Sequence, residues 1–399
     1  MSERELKVQY RPEVSLLAPP VRDALREYRW RRAFNLFECL MNDEDHGTKG
    51  VNPPIIPYIP GARRTVVYYG NGFNGAYNHH NQINKFKGRY YYAWSNGVRN
   101  EEDAGQKVLL SVSDDALVWQ DPIEVPVYTP TPEWAHNCVA LYTDEEQMVL
   151  LVMSEETEHD ETVTGMRRVK PEEAYVDAYR SLDGVHFEKA FECDRRIKWL
   201  FEAPRLTHEG RLMCVCCTKA DGPGILLWPG KDISQTPKLI LVDEPEEASF
   251  PYGESTWYQL DSGRILVFWR DEGASCRIWC NWSEDGGETW TAPALSDIPD
   301  SMSRIYAGRL SDGRYFIVNN AISNLLDRRP LTLLISEDGV LFDKVYMIND
   351  DPAEMRCKGL LKANGHQYPC CLVEEGKLIV AYDNGKEDIM CEVIPTDHI

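Results

Sequence analysis

The residue types best suited to chemistry are spread over the whole chain, and each also has a plainer structural explanation. His79 and His80 stand between Asn78 and Asn81, directly ahead of an apolar run. Imidazoles titrate near neutral pH, so such a cluster can pass protons or hydrogen-bond a polar ligand; the alternative is a hydrogen-bonded strand cap. Successive strand residues face opposite ways, so at most one of the two histidines is expected to face a site. His136 with Asn137 opens a later strand in the same manner. Glu254 and Arg270 lie 16 residues apart with a turn at Leu260 to Gly263 between them, which offers opposite charges from neighbouring strands. Glu202 and Arg205 begin another strand, Arg328 is doubled by Arg329, Tyr368 precedes Pro369, and Asp103 closes the acidic run of Glu101, Glu102 and Asp103. A buried ion pair, a solvated cation pair, a core aromatic and a solvent-facing loop are the competing explanations.

What must position these residues is a large β-rich core. Of 399 residues, 43% are hydrophobic and 11% aromatic, while 27 Gly and 24 Pro punctuate the length. That mixture favours many short strands and turns over helices, and it argues against disorder. Acidic residues outnumber basic ones, 64 to 43, and no basic block stands out, so neither a nucleic-acid partner nor an anionic membrane surface is expected. No apolar run is long enough to span a bilayer, and the first twenty residues lack a signal-peptide pattern, so a cytoplasmic protein is expected. The 12 cysteines fit no zinc template: Cys214, Cys216 and Cys217 crowd one strand, and Cys370 and Cys371 are adjacent. They are read as reduced, mostly buried residues, with neither metal nor cofactor expected.

Internal repetition sets the architecture. Ser283, Asp285, Gly287, Thr289 and Trp290 form an S-x-D-x-G-x-T-W turn; shorter copies span 181–187 and 336–342, and one without its glycine spans 113–119. Asp accepts hydrogen bonds from turn amides, Gly supplies a positive φ, and the aromatic packs back on the hairpin. Trp119, Phe187, Trp290 and Phe342 stand 68, 103 and 52 residues apart, the middle interval being about two units. Units near 50 residues with four strands each are propeller blades. Apolar strands at 89–95, 147–154, 211–217, 264–270, 314–320 and 377–383 count six blades, and residues 51–75 (including TVVYYG) leave room for a seventh. The expected fold is therefore an all-β, six-bladed β-propeller over 76–399. The segment 1–75 brings a helix at 21–42 packed on the propeller and a strand that closes the ring, since an open propeller would expose sheet edges. The polar stretch 155–173 is expected to be a rim insertion in the second blade.

The repeated turn resembles the Asp-box, or BNR repeat, of sialidases and related six-bladed propeller glycosidases, over roughly residues 76–395. Asp-boxes are structural and say nothing of chemistry; the resemblance implies it through other residues. Sialidases use a Tyr nucleophile assisted by a Glu, an Asp acid/base, and three Arg that clamp the substrate carboxylate. The segment from Glu254 to Arg270 resembles the strand pair carrying the Glu and the second Arg, the segment around Arg328 the strand with the third Arg, and Tyr368 the nucleophile. Where sialidases open the first blade with Arg-Ile-Pro, this chain has His79 and His80, and Asp103 occupies about the place of the acid/base Asp.

The resemblance thus implies a sialidase-like, exo-acting glycoside hydrolase releasing a terminal acidic or polyhydroxylated sugar. Its implied catalytic residues are Tyr368, Glu254 and Asp103. Arg270, Arg328, His79, His80, His136, Glu202 and Arg205 are the candidate sugar-binding residues. Two other functions compete: a propeller lyase acting on a uronate-linked sugar through His79 or His80, His136, Tyr179 and Arg195, and a carbohydrate-binding propeller without turnover. The expected partner is a carbohydrate, and exposed aromatics leave room for a homo-oligomer.

Overall fold

The computed structural model describes residues 13–41, 55–160, 165–168, 173–220 and 222–399. Its sheets are six antiparallel meanders that follow one another along the chain. The first blade runs Tyr77–Phe86, Arg89–Gly97, Lys107–Ser113 and Ile123–Glu124; the second, Trp134–Thr143, Met148–Asp160, Tyr175–Ser181 and Glu188–Glu192. In the third, Ile197–Trp199 and Arg205–Leu206 share the inner position beside Leu212–Thr218, Pro223–Leu227 and Lys238–Leu241. The fourth holds Thr256–Gln259, Ile265–Trp269, Arg277–Ser283 and Ala294–Pro299; the fifth, Tyr306–Arg309, Tyr315–Asn319, Leu331–Ser336 and Lys344–Asn349. The sixth has His366–Glu374, Lys377–Asn384 and Asp388–Pro395, and takes its outer strand, Arg63–Tyr68, from the N-terminal segment.

That last pairing closes the ring and accounts for the strand that could have signalled a seventh blade. Six apolar clusters fill the six junctions between consecutive blades. Trp94 and Tyr92 pack against Ile379 and Cys391 across the closure, where an unpaired edge would otherwise face solvent. The helix Pro19–Met41 lies on the junction of the fourth and fifth blades through Leu17, Val21 and Leu25. Ahead of it, Glu13–Val14 pairs in parallel with Ala294–Pro299, and Asp297 accepts hydrogen bonds from Ser15, Leu16 and Leu17. The expected insertion continues the strand Met148–Asp160 and pairs with Gly165–Arg168; residues 161–164 and 169–172 lie outside the described residues. The eleven cysteines among the described residues are unpaired, and eight are buried. No described helix is long and apolar enough to cross a membrane.

The four repeated turns share one hydrogen-bond plan. Ser283 Oγ accepts the Gly287 N–H at 2.9 Å, and Asp285 accepts from Thr289 N–H at 2.9 Å and its hydroxyl at 2.6 Å. The copies at Asp183 and Asp338 each accept two turn amides at 2.8–2.9 Å. In the copy without glycine, Ala116 holds the position at φ +62°, where Gly184 and Gly339 have +80° and +74°. Gly339 is also a close contact: a Cβ there would meet Leu260 Cδ2 at 2.4 Å and Tyr315 Cγ at 2.9 Å, whereas one on Gly376 (φ +72°) would meet nothing within 4 Å. Gly376→Ala should therefore cost about 1 kcal/mol from the left-handed backbone alone, and Gly339→Ala about 3 kcal/mol through added overpacking. Urea denaturation of both variants checks the difference; equal losses would contradict the packing role of this turn.

Candidate active site

The inner strands of the blades begin around a common axis, and at that end lies a cavity of about 330 Å³. Glu254 stands just before the inner strand of the fourth blade, Arg270 follows its second strand, Tyr368 sits in the inner strand of the sixth, and Arg328 precedes the third strand of the fifth. All four line the cavity, as does His80 from the first blade. They are thus brought together from positions 80 to 368.

Tyr368 is the centre of the arrangement. Its hydroxyl donates to Glu254 Oε1 at 2.6 Å and accepts from Arg270 Nη1 at 2.9 Å. Arg270 pairs in addition with Glu254 and with Glu272. Three cations surround the phenol ring: Arg270 and Arg328 with guanidinium carbons 5.9 and 5.7 Å from its centroid, and Lys386 with Nζ at 5.6 Å. Burial pushes the Tyr368 phenol up to about 12, against the downward pull of Arg270 and Arg328. Burial and the neighbouring Arg270 charge lower Arg328, whose guanidinium reaches Gln367 Oε1 at 2.6 Å and the Met302 carbonyl at 2.8 Å.

Backbone strain collects at this mouth. Of eleven non-glycine residues with positive φ among the described residues, seven line the cavity: His80, Glu102, Met302, Leu326, Leu361, Tyr368 and Lys386. Such conformations persist where surrounding structure over-determines them, and they cluster at functional sites. The N-terminal helix contributes to that restraint. Arg32 pairs with Asp327 at 2.7 Å and Arg29 donates to Asn324 at 3.0 Å, which ties down the loop that delivers Leu326 and Arg328. Trp199 and Phe201, stacked at 5.3 Å, line the same cavity with Tyr252 and supply flat apolar surface.

Asp103 is not where the acid/base was expected. Its carboxylate accepts the amides of Arg99 and Asn100 at 2.9 and 2.6 Å and the Asn100 side chain at 2.9 Å, so it shapes the loop from within. Its neighbours Glu101 and Glu102 line the cavity instead. Burial would raise Glu101, but Lys386 Nζ at 2.6 Å, with His80, more than reverses this and holds its carboxyl well below the usual range. His136 is occupied by Ser154 of its own blade and by Thr129 of the preceding connection, at 2.8 and 2.9 Å, and no described residue of the second blade lines the cavity. Glu202 is buried against Arg205 and Thr256 at 2.9 and 3.0 Å, while Arg205 donates to the carbonyls of Trp257 and Ala307 and lines a separate cavity at the far end of the inner strands. These three residues therefore leave the sugar-binding set at this mouth. The elimination set is likewise dispersed: Tyr179 caps the Tyr128 amide at 3.1 Å, and Arg195 pairs with Asp177 at 2.8 Å.

The histidine pair breaks the expected alternation. The ladder slips between His79 and Gln82, and both imidazoles come together with centroids 4.6 Å apart. His79 is fully buried behind Tyr368, ring centroids 3.7 Å apart, and its Nδ1 lies 2.7 Å from Asp383. Burial, then the Lys386 charge, depresses His79 well below its ordinary value, and burial lowers His80 as well, against the upward pull of Glu101. Among the described residues, the group that could hold a metal is these two histidines with Glu101.

Lys386, Glu101, Glu102 and Glu272 are among the site residues that sequence reasoning missed. Lys386 follows Asn384 and Gly385, a pattern that reads as an exposed turn, and nothing in the sequence marks it as buried. Glu102 adjoins the expected Asp103 in one acidic run, where no pattern tells which carboxylate turns inward. The Lys386–Glu101 pair is nearly water-free, with side-chain exposures of 4% and 13%. Removing one partner of such a pair strands the other. Lys386→Met should destabilise the protein by about 3 kcal/mol, and the double change with Glu101→Gln should recover most of the loss in urea denaturation. Additive losses would contradict the pairing.

Comparison with known proteins is consistent with this architecture. The BNR repeat-like domain matches residues 88–380. No curated protein matches the chain. Among solved structures, a sialidase superposes with a TM-score of 0.59 at 19% identity, over 86% of this chain and 33% of its own length, so the chain spans about a third of that protein. A protein of unknown function from Dyadobacter fermentans gives 0.64 at 16% identity, covering 84% of this chain and 99% of its own. NanB sialidase from Streptococcus pneumoniae gives 0.61 at 10% identity, covering 87% and 72%. At such identities the likeness is one of fold. With the repeat match extending over most of its length and its blades closed in the same ring, the chain belongs to the BNR repeat-like family of sialidase-like β-propellers.

Proposed function

We propose that the protein is an exo-acting glycoside hydrolase that releases a terminal acidic or polyhydroxylated sugar from short soluble oligosaccharides, with Tyr368 as nucleophile. The observation that carries this reading is the Tyr368 hydroxyl held between the Glu254 carboxylate at 2.6 Å and the Arg270 guanidinium at 2.9 Å. A phenol with a burial-raised pKa is a poor nucleophile until a base takes its proton and a cation stabilises the phenolate. Both are in place on the same oxygen. A neutral nucleophile also suits an anionic sugar, since a carboxylate would be repelled from its anomeric centre.

In the first step the Tyr368 oxygen bonds to the anomeric carbon, its proton passes to Glu254, and the glycosidic oxygen departs with a proton from Glu102. Glu101, held ionised by Lys386, is unsuited to that donation, which favours its neighbour. In the second step water loses a proton to Glu102 and displaces Tyr368, which recovers its proton from Glu254. Arg328, with Lys386 beside it, anchors a carboxylate or hydroxyls of the sugar, and the aromatic wall takes its apolar face. The cavity of about 330 Å³ has room for one terminal sugar residue, which is the basis for exo action.

A panel of aryl glycosides of acidic and neutral sugars, with products followed by mass in isotopically labelled water, tests this reading. The wild-type protein should release a sugar carrying the label. Tyr368→Phe should lose at least about 10³-fold in turnover, while Asp103→Asn should retain activity to within about tenfold. Glu102→Gln should lose more with poor leaving groups than with activated aryl ones, because the latter need no proton. Full activity of Tyr368→Phe, or an unsaturated product absorbing in the ultraviolet, would overturn the mechanism. Sugar binding without any product would reduce the protein to a carbohydrate-binding propeller.

A further inference from the structure

The first blade opens on a geometry that the hydrolytic reading leaves unused. In a regular strand His79 and His80 would face opposite sides. Here the ladder slips after His79, and His80 takes a φ of +59°, which draws the two imidazoles together. Strain at a residue with a bulky side chain calls for a functional explanation.

Each ring is aimed by a partner on Nδ1: His79 by Asp383 Oδ2 at 2.7 Å, and His80 by Ser95 Oγ at 3.0 Å. A hydrogen bond from Nδ1–H to the Asp383 carboxylate leaves the His79 Nε2 with a lone pair, and the Nε2 of His80 points toward Glu101. The His79 Nε2 is buried and has no hydrogen-bond partner among the described residues. The His80 Nε2 stands 3.5 Å from Glu101 Oε1, too far for a good hydrogen bond. Two imidazoles and a carboxylate therefore converge, with one ligand atom from each of His79, His80 and Glu101 lying within 4.8 Å of one another.

We propose that this trio is a divalent metal site that takes a nitrogen-preferring ion of the zinc or cobalt class. The Asp383–His79 pair has the form of a carboxylate that orients a ligating histidine and fixes its tautomer. Two imidazoles and one carboxylate suit such ions; calcium and magnesium seek more oxygen ligands than the trio offers. Lys386 holds the second oxygen of Glu101 at 2.6 Å, so one oxygen remains for the ion. Ligands at about 2.1 Å from a shared ion stand at most about 4.2 Å apart, so the trio closes by roughly half an ångström on binding, within reach of a Glu101 side-chain rotation. Three protein ligands leave a coordination position open, and His80 and Glu101 line the cavity. The ion would thus present a positive charge at the start of the first blade, where the resemblance to sialidases expects an arginine. That last role rests on the hydrolase reading; the ion site itself does not.

Titration calorimetry of chelator-treated, full-length protein with zinc or cobalt chloride tests the site without reference to turnover. One ion per chain should bind with a low-micromolar or tighter dissociation constant, and cobalt should give a visible ligand-field spectrum. Glu101→Gln and His80→Asn should each weaken binding at least about tenfold. Asn tolerates the left-handed backbone at position 80, and a melting curve checks that each variant folds. His186→Ala, which alters an exposed histidine elsewhere, should leave binding unchanged. Failure to bind one ion at up to millimolar metal, or binding that both site variants retain, overturns the proposal. An inactive protein that still binds one ion through these residues would count against the hydrolase reading alone.

Discussion

Burying charge around a single phenol is the constraint on which the site depends. Arg270, Arg328 and Lys386 each lie within 6 Å of the Tyr368 ring centroid, in a region almost free of water. Isolated buried cations would be prohibitive, so carboxylates accompany them: Glu254 and Glu272 on Arg270, and Glu101 on Lys386. Arg328 differs: its guanidinium donates to the side-chain amide of Gln367 and the carbonyl of Met302. Without a carboxylate in a direct ion pair among the described residues, Arg328 keeps much of its charge available to a ligand, which is why the anionic or hydroxyl-rich end of a substrate is assigned to it.

Holding that charge cluster in place is the work of the ring. Its members come from the first, fourth, fifth and sixth blades, so their separations are set by the apolar junctions and by the strand that closes the last one. The Asp-box turns lie at the strand ends and fix their hairpins through side-chain acceptors for turn amides, leaving the axial loops to vary. Strain collects at this axial end, with left-handed backbones at His80 and Tyr368 in inner strands and at Lys386 in a turn. The helix Pro19–Met41 extends the same logic outside the propeller by clamping the loop ahead of Arg328.

Much of this was legible because it is local. The turn chemistry repeats within eight residues, and its spacing counts the blades. Glu254, Arg270, Arg328 and Tyr368 lie in or beside strands, so their positions along the chain carry over to positions round the axis. Loop residues obey no such rule. Asp103 and Glu102 are adjacent in one acidic run, yet one caps a turn and the other faces the cavity because Glu102 has a φ of +61°. Lys386 enters through a turn that reads as solvent-exposed. His79 and His80 defeat the alternation argument through a bulge that no glycine announces. Glu202 and Arg205 sit at a strand start like the true cavity residues, but their strand is interrupted and Arg205 turns to the opposite mouth.

The claim on which the functional account turns is that the Tyr368 oxygen itself bonds to sugar. Intact-protein mass spectrometry during rapid-quenched turnover of an activated aryl glycoside, followed by peptide mapping, reads this directly. The account predicts one glycosyl adduct per chain, carried by the peptide containing Tyr368 and lost on incubation with water. An adduct on another residue, or rapid product formation with no adduct at any quench time, would contradict it.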